Sequence, residues 1–339
     1  MSKKNSNVLN LKKIIEKDKE IFKTFLLLKN KLIKFKKKTL VVAVSGGPDS
    51  LALAGLSRAL QKEKKNKYFF VLVDHGIRKN SSKEAELVKK ILKKHKISLS
   101  ILRNKEKITK NFQSKAREIR YDLIQSFCKK KRANYILTGH HSDDQIETFL
   151  IRLSRGSGIQ GLSAMRFETK LKNRIALLRP LLETKKENLI YIAKKLFGRI
   201  VKDPSNNDKK YLRTRIRKLK KNLEKSGIHH NQILRSISNL ASTNTTLNTY
   251  FEKTYKKIVS KHNKKLLINL ENLFLESSDI QLKVLSKSMK DFSKSYYPPR
   301  SKKVLNLIKQ LKLNKISKFT LSKCILQKSK DYLTIKKET

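Results

Sequence analysis

The sequence predicts an α/β fold: a parallel sheet covered by helices on both faces, followed by a smaller, mainly helical C-terminal domain. Three observations lead there. Short apolar, β-branched or aromatic runs alternate with longer amphipathic ones through the first part of the chain. Eight of the ten glycines fall before residue 162, and the later half turns lysine-rich with helical periodicity. Strand–helix alternation places helices over both faces of parallel strands, and ligands then sit at the carboxyl ends of those strands. A chain of 339 residues has room for two domains. The expected boundaries are 1–37 for an N-terminal helical extension, 38–221 for the α/β domain, and 222–339 for the helical domain with a terminal β-hairpin.

In chain order, residues 40–44, 68–73, 97–102 and 135–138 read as strands, because each is a short apolar run bounded by polar residues. Residues 50–61, 82–95 and 112–131 carry the helical period between them. Ser81 with Glu84 fits a capping box for the second of these helices. Thr184 with Glu187 fits another, opening a helix over 184–197. Beyond residue 222, helix patterns run over 231–255 and 279–292 and are broken by YYPPR at 296–300. The stretches 318–324 and 332–337 read as the two arms of the closing hairpin.

Lys and Arg number 82 against 27 Asp and Glu, a formal net charge of +55, which suits a polyanionic partner such as nucleic acid. Lysine far outnumbers arginine, and isoleucine and asparagine are also plentiful, as drift toward A-rich codons produces. The charge therefore supports nucleic-acid contact without identifying the nucleic acid. Cys128 and Cys324 form no CxxC pair, so neither a disulfide framework nor a zinc or iron–sulfur site is expected, and a reducing cytoplasm fits. The N-terminus lacks a signal-peptide core, and no run of about 18 apolar residues occurs, so a soluble protein with no membrane partner is expected.

Residues 44–50 read VSGGPDS, directly after the first strand. Paired glycines between a strand and a helix let backbone N–H groups close on a phosphate, with the helix N-terminus adding partial positive charge. No Lys-Ser/Thr follows Gly47, so this is not a Walker A loop. Asp49 would repel phosphate unless a divalent cation lay between them, which points to a Mg²⁺-bound nucleotide. Taken alone, a tight strand–helix turn capped by Ser50 or Asp49 explains the residues equally well. The stretch resembles the Ser-Gly-Gly-x-Asp-Ser signature of the PP-loop ATP pyrophosphatases. That resemblance implies an adenine nucleotide alpha hydrolase-like sheet and cleavage of ATP between its α- and β-phosphates. It also implies transfer of AMP to a carbonyl oxygen while the loop holds pyrophosphate.

A second cluster, GHHSDDQIETF at 139–149, follows a strand and opens a helix. Asp143 and Glu147 are four apart, and Asp144 and Glu147 three apart, so the acids share one helical face. Acids in a first turn are ordinary dipole partners. Two histidines, two aspartates, a glutamine and a glutamate within eight residues exceed what capping needs, and suit a site for a cation and a proton acceptor. The cluster resembles the second motif of the tRNA(Ile)-lysidine synthase family. VDHGIR at 73–78, QSKAREIRYD at 113–122, RLSRGSGIQGLSAM at 152–165, RPLL at 179–182 and DPSNNDKKYLRTRIR at 203–217 agree with that family. YYPPR at 296–300 and FTLSKCIL at 319–326 extend the likeness more weakly. The segment KLKKNLEKSG departs from it, having no proline before its second leucine, and the chain is shorter than members with an additional C-terminal domain.

The resemblance implies that ATP adenylates the wobble cytidine of an isoleucine tRNA at its C2 oxygen, and that the ε-amine of free L-lysine then displaces AMP to give lysidine. On this footing Ser45, Gly46, Gly47, Pro48, Asp49, Ser50 and His75 contact ATP, and Asp49 and Asp143 hold Mg²⁺. Asp49, Asp144 and Glu147 are the expected catalytic residues, the last two binding the lysine ammonium and accepting its proton. Arg117 and Arg120 are expected at a phosphate or the lysine carboxylate. Arg152, Arg155, Arg213, Arg215 and Arg217 are expected on tRNA phosphates, with a solvated basic face the plain alternative for Arg117 and Arg120 and for the stripe at 213–217. The expected partners are ATP, L-lysine and tRNA(Ile) with a CAU anticodon; oligomeric state is left open, a homodimer included. The rival readings are a thiolating PP-loop tRNA modifier and a non-catalytic basic RNA-binding protein.

Overall fold

The computed structural model describes residues 11–63, 66–76, 80–104, 112–171, 174–198, 212–262, 265–293 and 298–338. Contacts divide the chain into two compact units, Met1–Ala241 and Ser242–Thr339.

The first unit opens with α1 (Leu11–Lys17) and α2 (Lys19–Lys31), separated by Asp18, whose carboxylate accepts from the Glu20 and Ile21 N–H groups and starts the second helix. Ile15, Ile21, Phe25 and Leu28 are buried in the same core as Leu40 and Val42. The expected separate extension is therefore, over residues 11–31, a docked layer of the α/β unit, because its apolar stripe has no other surface to cover. There follow β1 (Thr39–Ala43), α3 (Pro48–Glu63), β2 (Lys67–Asp74), α4 (Ser81–Lys94), β3 (Leu99–Arg103), α5 (Phe112–Lys130) and β4 (Tyr135–Leu137). Then come α6 (Ser142–Leu153), α7 (Ile159–Leu162), β5 (Glu168–Lys170), β6 (Ala176–Leu178), α8 (Lys186–Phe197) and α9 (Leu212–Lys225).

The six strands pair in the order β3-β2-β1-β4-β6-β5, parallel except for the edge strand β5. Side chains alternate across the pleat, so Leu40 and Val42 enter one core with α3 and α8, while Val41 enters the other with Ile124 and Cys128 of α5. The chain runs outward from β1 to β2 and β3, then returns to β4 on the other side. The order therefore reverses between β1 and β4, and Val42 is in register with Leu137 there. That reversal is the crevice where open α/β sheets bind ligands, and both sequence motifs leave from its two strands.

The long helix α10 (His230–Ile258) continues past the end of the first unit. Ile233 and Ile237 pack with Ile146 and Ala164, which is why the division falls at 241/242 and not at the expected 221/222. In the second unit, β7 (Val259–His262), β8 (Lys265–Asn269), α11 (Leu270–Leu275), α12 (Ser278–Ser293), α13 (Ser301–Lys312), β9 (Lys318–Leu321), β10 (Cys324–Lys328) and β11 (Tyr332–Lys337) follow. The strands make a five-stranded antiparallel sheet, β7-β8-β11-β10-β9. Val284, Leu285, Val304 and Leu307 of the helices share a core with Ile268, Leu333 and Ile335 of the sheet. The unit is thus a helix-backed sheet, more extensive than a terminal hairpin. The expected arm 318–324 holds a tight turn: Ser322 and Lys323 both take positive φ, 55° and 61°, and reverse the chain between β9 and β10. Tyr296 and Tyr297 lie outside the described residues.

Candidate active site

At the end of β1 the chain turns through Gly46, at φ +87°, a value that suits a residue without a Cβ. Ser50, in the first turn of α3, ties the loop together. Its hydroxyl accepts from the Ser45 N–H at 3.0 Å and the Ser45 hydroxyl at 3.1 Å, and donates to the Gly47 carbonyl at 3.0 Å. Pro48 opens the helix, where its missing N–H costs nothing. The first-turn N–H groups that a helix leaves unpaired then face the crevice between β1 and β4, a ready anion site. The opposite wall is Gly139: a Cβ there would stand 2.8 Å from the Asp49 carbonyl oxygen and 3.1 Å from the Ser50 nitrogen. Only a glycine lets the end of β4 approach the loop backbone this closely.

Two residues on, His141 is buried, its side chain 2% exposed, at the start of α6. Its Nε2 lies 3.6 Å from Asp49 Oδ2 and 3.5 Å from Asp144 Oδ2, and its Nδ1 lies 3.8 Å from Asp143 Oδ2. The carboxylates of the loop and of α6, some ninety-odd residues apart, therefore meet at one imidazole. Burial pushes that imidazole's pKa down, but the hydrogen bond to Asp49 and the charges of Asp144, Asp49 and Asp143 outweigh it and raise the group above its ordinary value. Asp144 also accepts the His141 N–H at 3.1 Å, fixing the helix start.

His140 and His75 behave in the opposite way. Each falls to about 4, chiefly through burial, with Arg179, Arg117 and Arg213 adding to the effect at His140 and Arg120 at His75. Both are neutral imidazoles near neutral pH. His75 follows β2, and its Nε2 lies 3.4 Å from Arg120 Nε, which places an expected ATP contact beside a residue expected at a phosphate or the lysine carboxylate. Its buried Nδ1 has no hydrogen-bond partner within the protein. Next to it, Asp74 accepts from the Ser82 hydroxyl at 2.6 Å and from the Gly76 N–H. Asn80 is the N-cap of α4, and its side chain makes no capping bond, so the expected Ser81–Glu84 box is absent.

Helix α9 closes the site. Arg217 grips Glu147 at 2.5 Å (Nε to Oε1) and 3.3 Å (Nη2 to Oε2), and Lys220 Nζ lies 2.5 Å from Asp143 Oδ1. Arg217 had been expected on RNA phosphates together with Arg213 and Arg215. Arg213 and Arg215 are exposed, whereas Arg217, one turn beyond Arg213, is partly buried and reaches Glu147. Arg152 also differs from expectation, spending its Nη1 on the carbonyls of Gly161 and Ala164 and so tying the glycine-punctuated segment to α6. Arg155 is exposed, as is Arg117, which lies over the Tyr121 ring at 5.0 Å. Lys220 belongs to the basic run that continues beyond Arg217. No spacing rule links it to Asp143, 77 positions away.

Asp143 illustrates the strength of this closure. Burial pushes its carboxyl up, but the hydrogen bonds from Lys220 and from the Lys186 N–H, with the charges of Lys220 and His141, hold it at about 2. A carboxyl held below its ordinary value of 3.8 stabilises the fold above that value, and the contribution is lost as pH falls toward about 2. The expected result is that Asp143→Asn lowers the urea midpoint near neutral pH, with the gap to wild type shrinking through this acid window. A gap independent of pH would show that the charge is not what stabilises.

Among the described residues, no group of three His, Cys, Asp or Glu side chains is arranged to hold a metal ion. Mg²⁺ needs fewer, since it commonly takes one or two carboxylates and completes its shell with substrate phosphates and water. Asp49 fits that role, because its buried Oδ1 has no hydrogen-bond partner. Asp143 does not fit as it stands: Lys220 and the Lys186 N–H occupy its two oxygens, and His141 lies between it and Asp49.

Comparison with known proteins places this geometry. The PP-loop domain family matches residues 15–223. The tRNA(Ile)-lysidine synthase of Wolbachia pipientis wMel is 33% identical over 311 residues, covering 90% of this chain and 72% of that protein. The protein of the same name from the Wolbachia of Brugia malayi is 32% identical over 303 residues, 88% of this chain and 70% of its own. The one from Rhodopseudomonas palustris is 39% identical over 199 residues, 58% of this chain and 57% of its own. Among solved structures, the U34-tRNA thiolase of Methanococcus maripaludis superposes with a TM-score of 0.56 at 19% identity, over 66% of this chain and 80% of that one, a likeness of fold.

Proposed function

The chain belongs to the PP-loop family and, within it, to the tRNA(Ile)-lysidine synthases, and from that premise we propose how its residues carry out an ATP-dependent modification of isoleucine tRNA. The RNA substrate is the tRNA(Ile) with a CAU anticodon, acted on in the cytoplasm. Among the described residues, no helix is long and apolar enough to cross a membrane. ATP lies over the loop at 45–50, with its phosphates on the N-terminus of α3. Asp49 would hold Mg²⁺ together with the triphosphate, and the ion would supply positive charge that eases the departure of pyrophosphate.

In the first step the wobble cytosine O2 attacks the α-phosphorus, the α–β bridge breaks and pyrophosphate departs. That oxygen is a weak nucleophile, so the protein's work is mainly alignment, for which a rigid loop wedged against Gly139 is suited. The lysine ε-amine then attacks C2, AMP leaves with the O2 oxygen, and the amine's proton passes to a carboxylate, Asp144 or Glu147. The observation that carries the reading is the meeting of Asp49 and Asp144 at His141, which unites the nucleotide loop with the proton-accepting acids.

Cys128 and Cys324 are both buried, and burial pushes the Cys128 thiol up to about 12, which ill suits a sulfur-carrying thiolate. This favours lysine transfer over thiolation. Incubation with CAU-anticodon tRNA(Ile), ATP, Mg²⁺ and labelled lysine tests the proposal. The expected result is label on the tRNA with stoichiometric AMP and pyrophosphate; unlabelled tRNA beside an active relative would overturn it.

A further inference from the structure

The start of α6 carries His141, Asp143 and Asp144, and between them Ser142 is fully buried. The Ser142 N–H donates to the Thr184 carbonyl at 3.0 Å, and its hydroxyl lies 3.2 Å from Nε2 of His230, 88 positions away in the chain. His230 opens α10, and its neighbour fixes the start of that helix. The His229 N–H donates to Gln232 Oε1 at 3.1 Å, and the Ile233 N–H donates to the His229 carbonyl at 3.2 Å. His230, Ile233 and Ile237 stand at i, i+3 and i+7, one stripe of the helix, and the two isoleucines pack with Ile146 and Ala164. The imidazole therefore comes to Ser142 on a packed face of α10. Burial lowers the His230 pKa, Lys220 and Lys185 adding to the effect and Asp143 and Glu224 opposing it, so the ring is neutral near neutral pH. A neutral imidazole can accept from the Ser142 hydroxyl or donate to it.

We propose that His230 is a positioning residue of the reaction: through Ser142 it fixes the first turn of α6, and with it the meeting of His141 and Asp144 with Asp49. The inference rests on the reading of the reaction given above. Consecutive Cα atoms are about 3.8 Å apart, so Ser142 cannot shift without carrying His141 and Asp143 with it. His141 Nε2 is 3.6 Å from Asp49 Oδ2 and 3.5 Å from Asp144 Oδ2. These separations lie at the margin of a hydrogen bond, where a shift of about 0.5 Å tightens or breaks the contact. Two further ties of the turn, Ser142 to the Thr184 carbonyl and Asp143 to the Lys186 N–H, both come from the segment leading into α8. His230 braces the turn from a different helix.

The test is a double-mutant cycle on lysine transfer at saturating ATP, tRNA and lysine. His230→Ala and Ser142→Ala are each expected to lower kcat roughly tenfold, short of the hundredfold that a 1 Å misplacement can cost, since the other ties remain. The KM values for lysine and ATP stay within about twofold of wild type, because the loss is one of alignment and not of binding. The double variant loses no more than either single one, because the same bond is broken in all three. His230→Gln, whose amide reaches the position of Nε2, recovers kcat to within about threefold of wild type. Ser142→Ala removes one oxygen and keeps the test open should His230→Ala not fold. Losses that multiply to about a hundredfold in the double variant overturn the inference, as does a Gln variant no better than Ala. So does a lower urea midpoint with kcat per folded molecule unchanged, the outcome of a merely structural contact. Ring NMR signals of His141 separate this from failure of the proposed reaction. If wild type transfers no lysine, equal displacement of those signals in both single variants keeps the positioning role, and unmoved signals remove it.

Discussion

Gly139→Ala is expected to remove lysine transfer by a hundredfold or more and to destabilise the first unit by about 1–3 kcal/mol. The added methyl group would stand 2.8 Å from the Asp49 carbonyl oxygen, 2.9 Å from its carbon and 3.1 Å from the Ser50 nitrogen. All three are backbone atoms, so no rotamer change relieves the clash. Either the end of β4 or the start of α3 must shift, and both carry the site. A shift of about 1 Å in a group that aligns reactants costs on the order of a hundredfold in rate. Ser50 would move with it and pull on the hydroxyl network that closes the loop. Urea unfolding, ATP binding and lysine transfer check the three consequences. Wild-type ATP affinity in a folded Gly139→Ala protein would mean that the loop and β4 do not form one site.

Asp49→Asn is expected to lower lysine transfer by roughly a thousandfold, in the range seen when one charge-stabilising group is removed from an active site. Shape is conserved, so the loss reports charge. The substitution removes the one carboxylate oxygen of the cluster that is buried without a partner, and with it the group suited to face a cation on the triphosphate. It also takes one of three carboxylates from around His141. Affinity for tRNA should stay nearly intact or rise slightly, because an acid in a strongly basic chain opposes phosphate binding. The same split, chemistry lost and RNA affinity kept, is expected for Asp144→Asn. Filter binding of tRNA beside single-turnover transfer separates the two quantities. Full transfer activity in either variant would exclude that carboxylate from the mechanism.

Both substitutions fall in stretches that could be picked out from the sequence. The loop at 45–50 is legible because its parts are neighbours in the chain: a strand end, a glycine at positive φ, a proline at a helix start and a serine that bonds back across five positions. The acids of α6 are legible for a similar reason, since a helical face has a fixed period. The parallel sheet follows from strand–helix alternation, and the crevice follows once β1 and β4 are adjacent. The arginine stripe misled because a helical period does not show which member meets an acid: Arg213 and Arg217 are one turn apart, yet Arg213 stays exposed while Arg217 reaches the buried Glu147.

What the sequence determined by itself, then, is the chemistry that short-range geometry encodes: the nucleotide loop, the acids on one turn of helix, and the strand–helix alternation that makes a parallel sheet. What only the tertiary structure decided is which charges are paired. Arg217 with Glu147 and Lys220 with Asp143 join residues 70 and 77 positions apart. In a chain with 82 basic residues, nothing local distinguishes a lysine that seals a cavity from one that faces water. The difference is burial beside an acid, and burial is set by how α9 packs on α6, a long-range contact that no period in the sequence records.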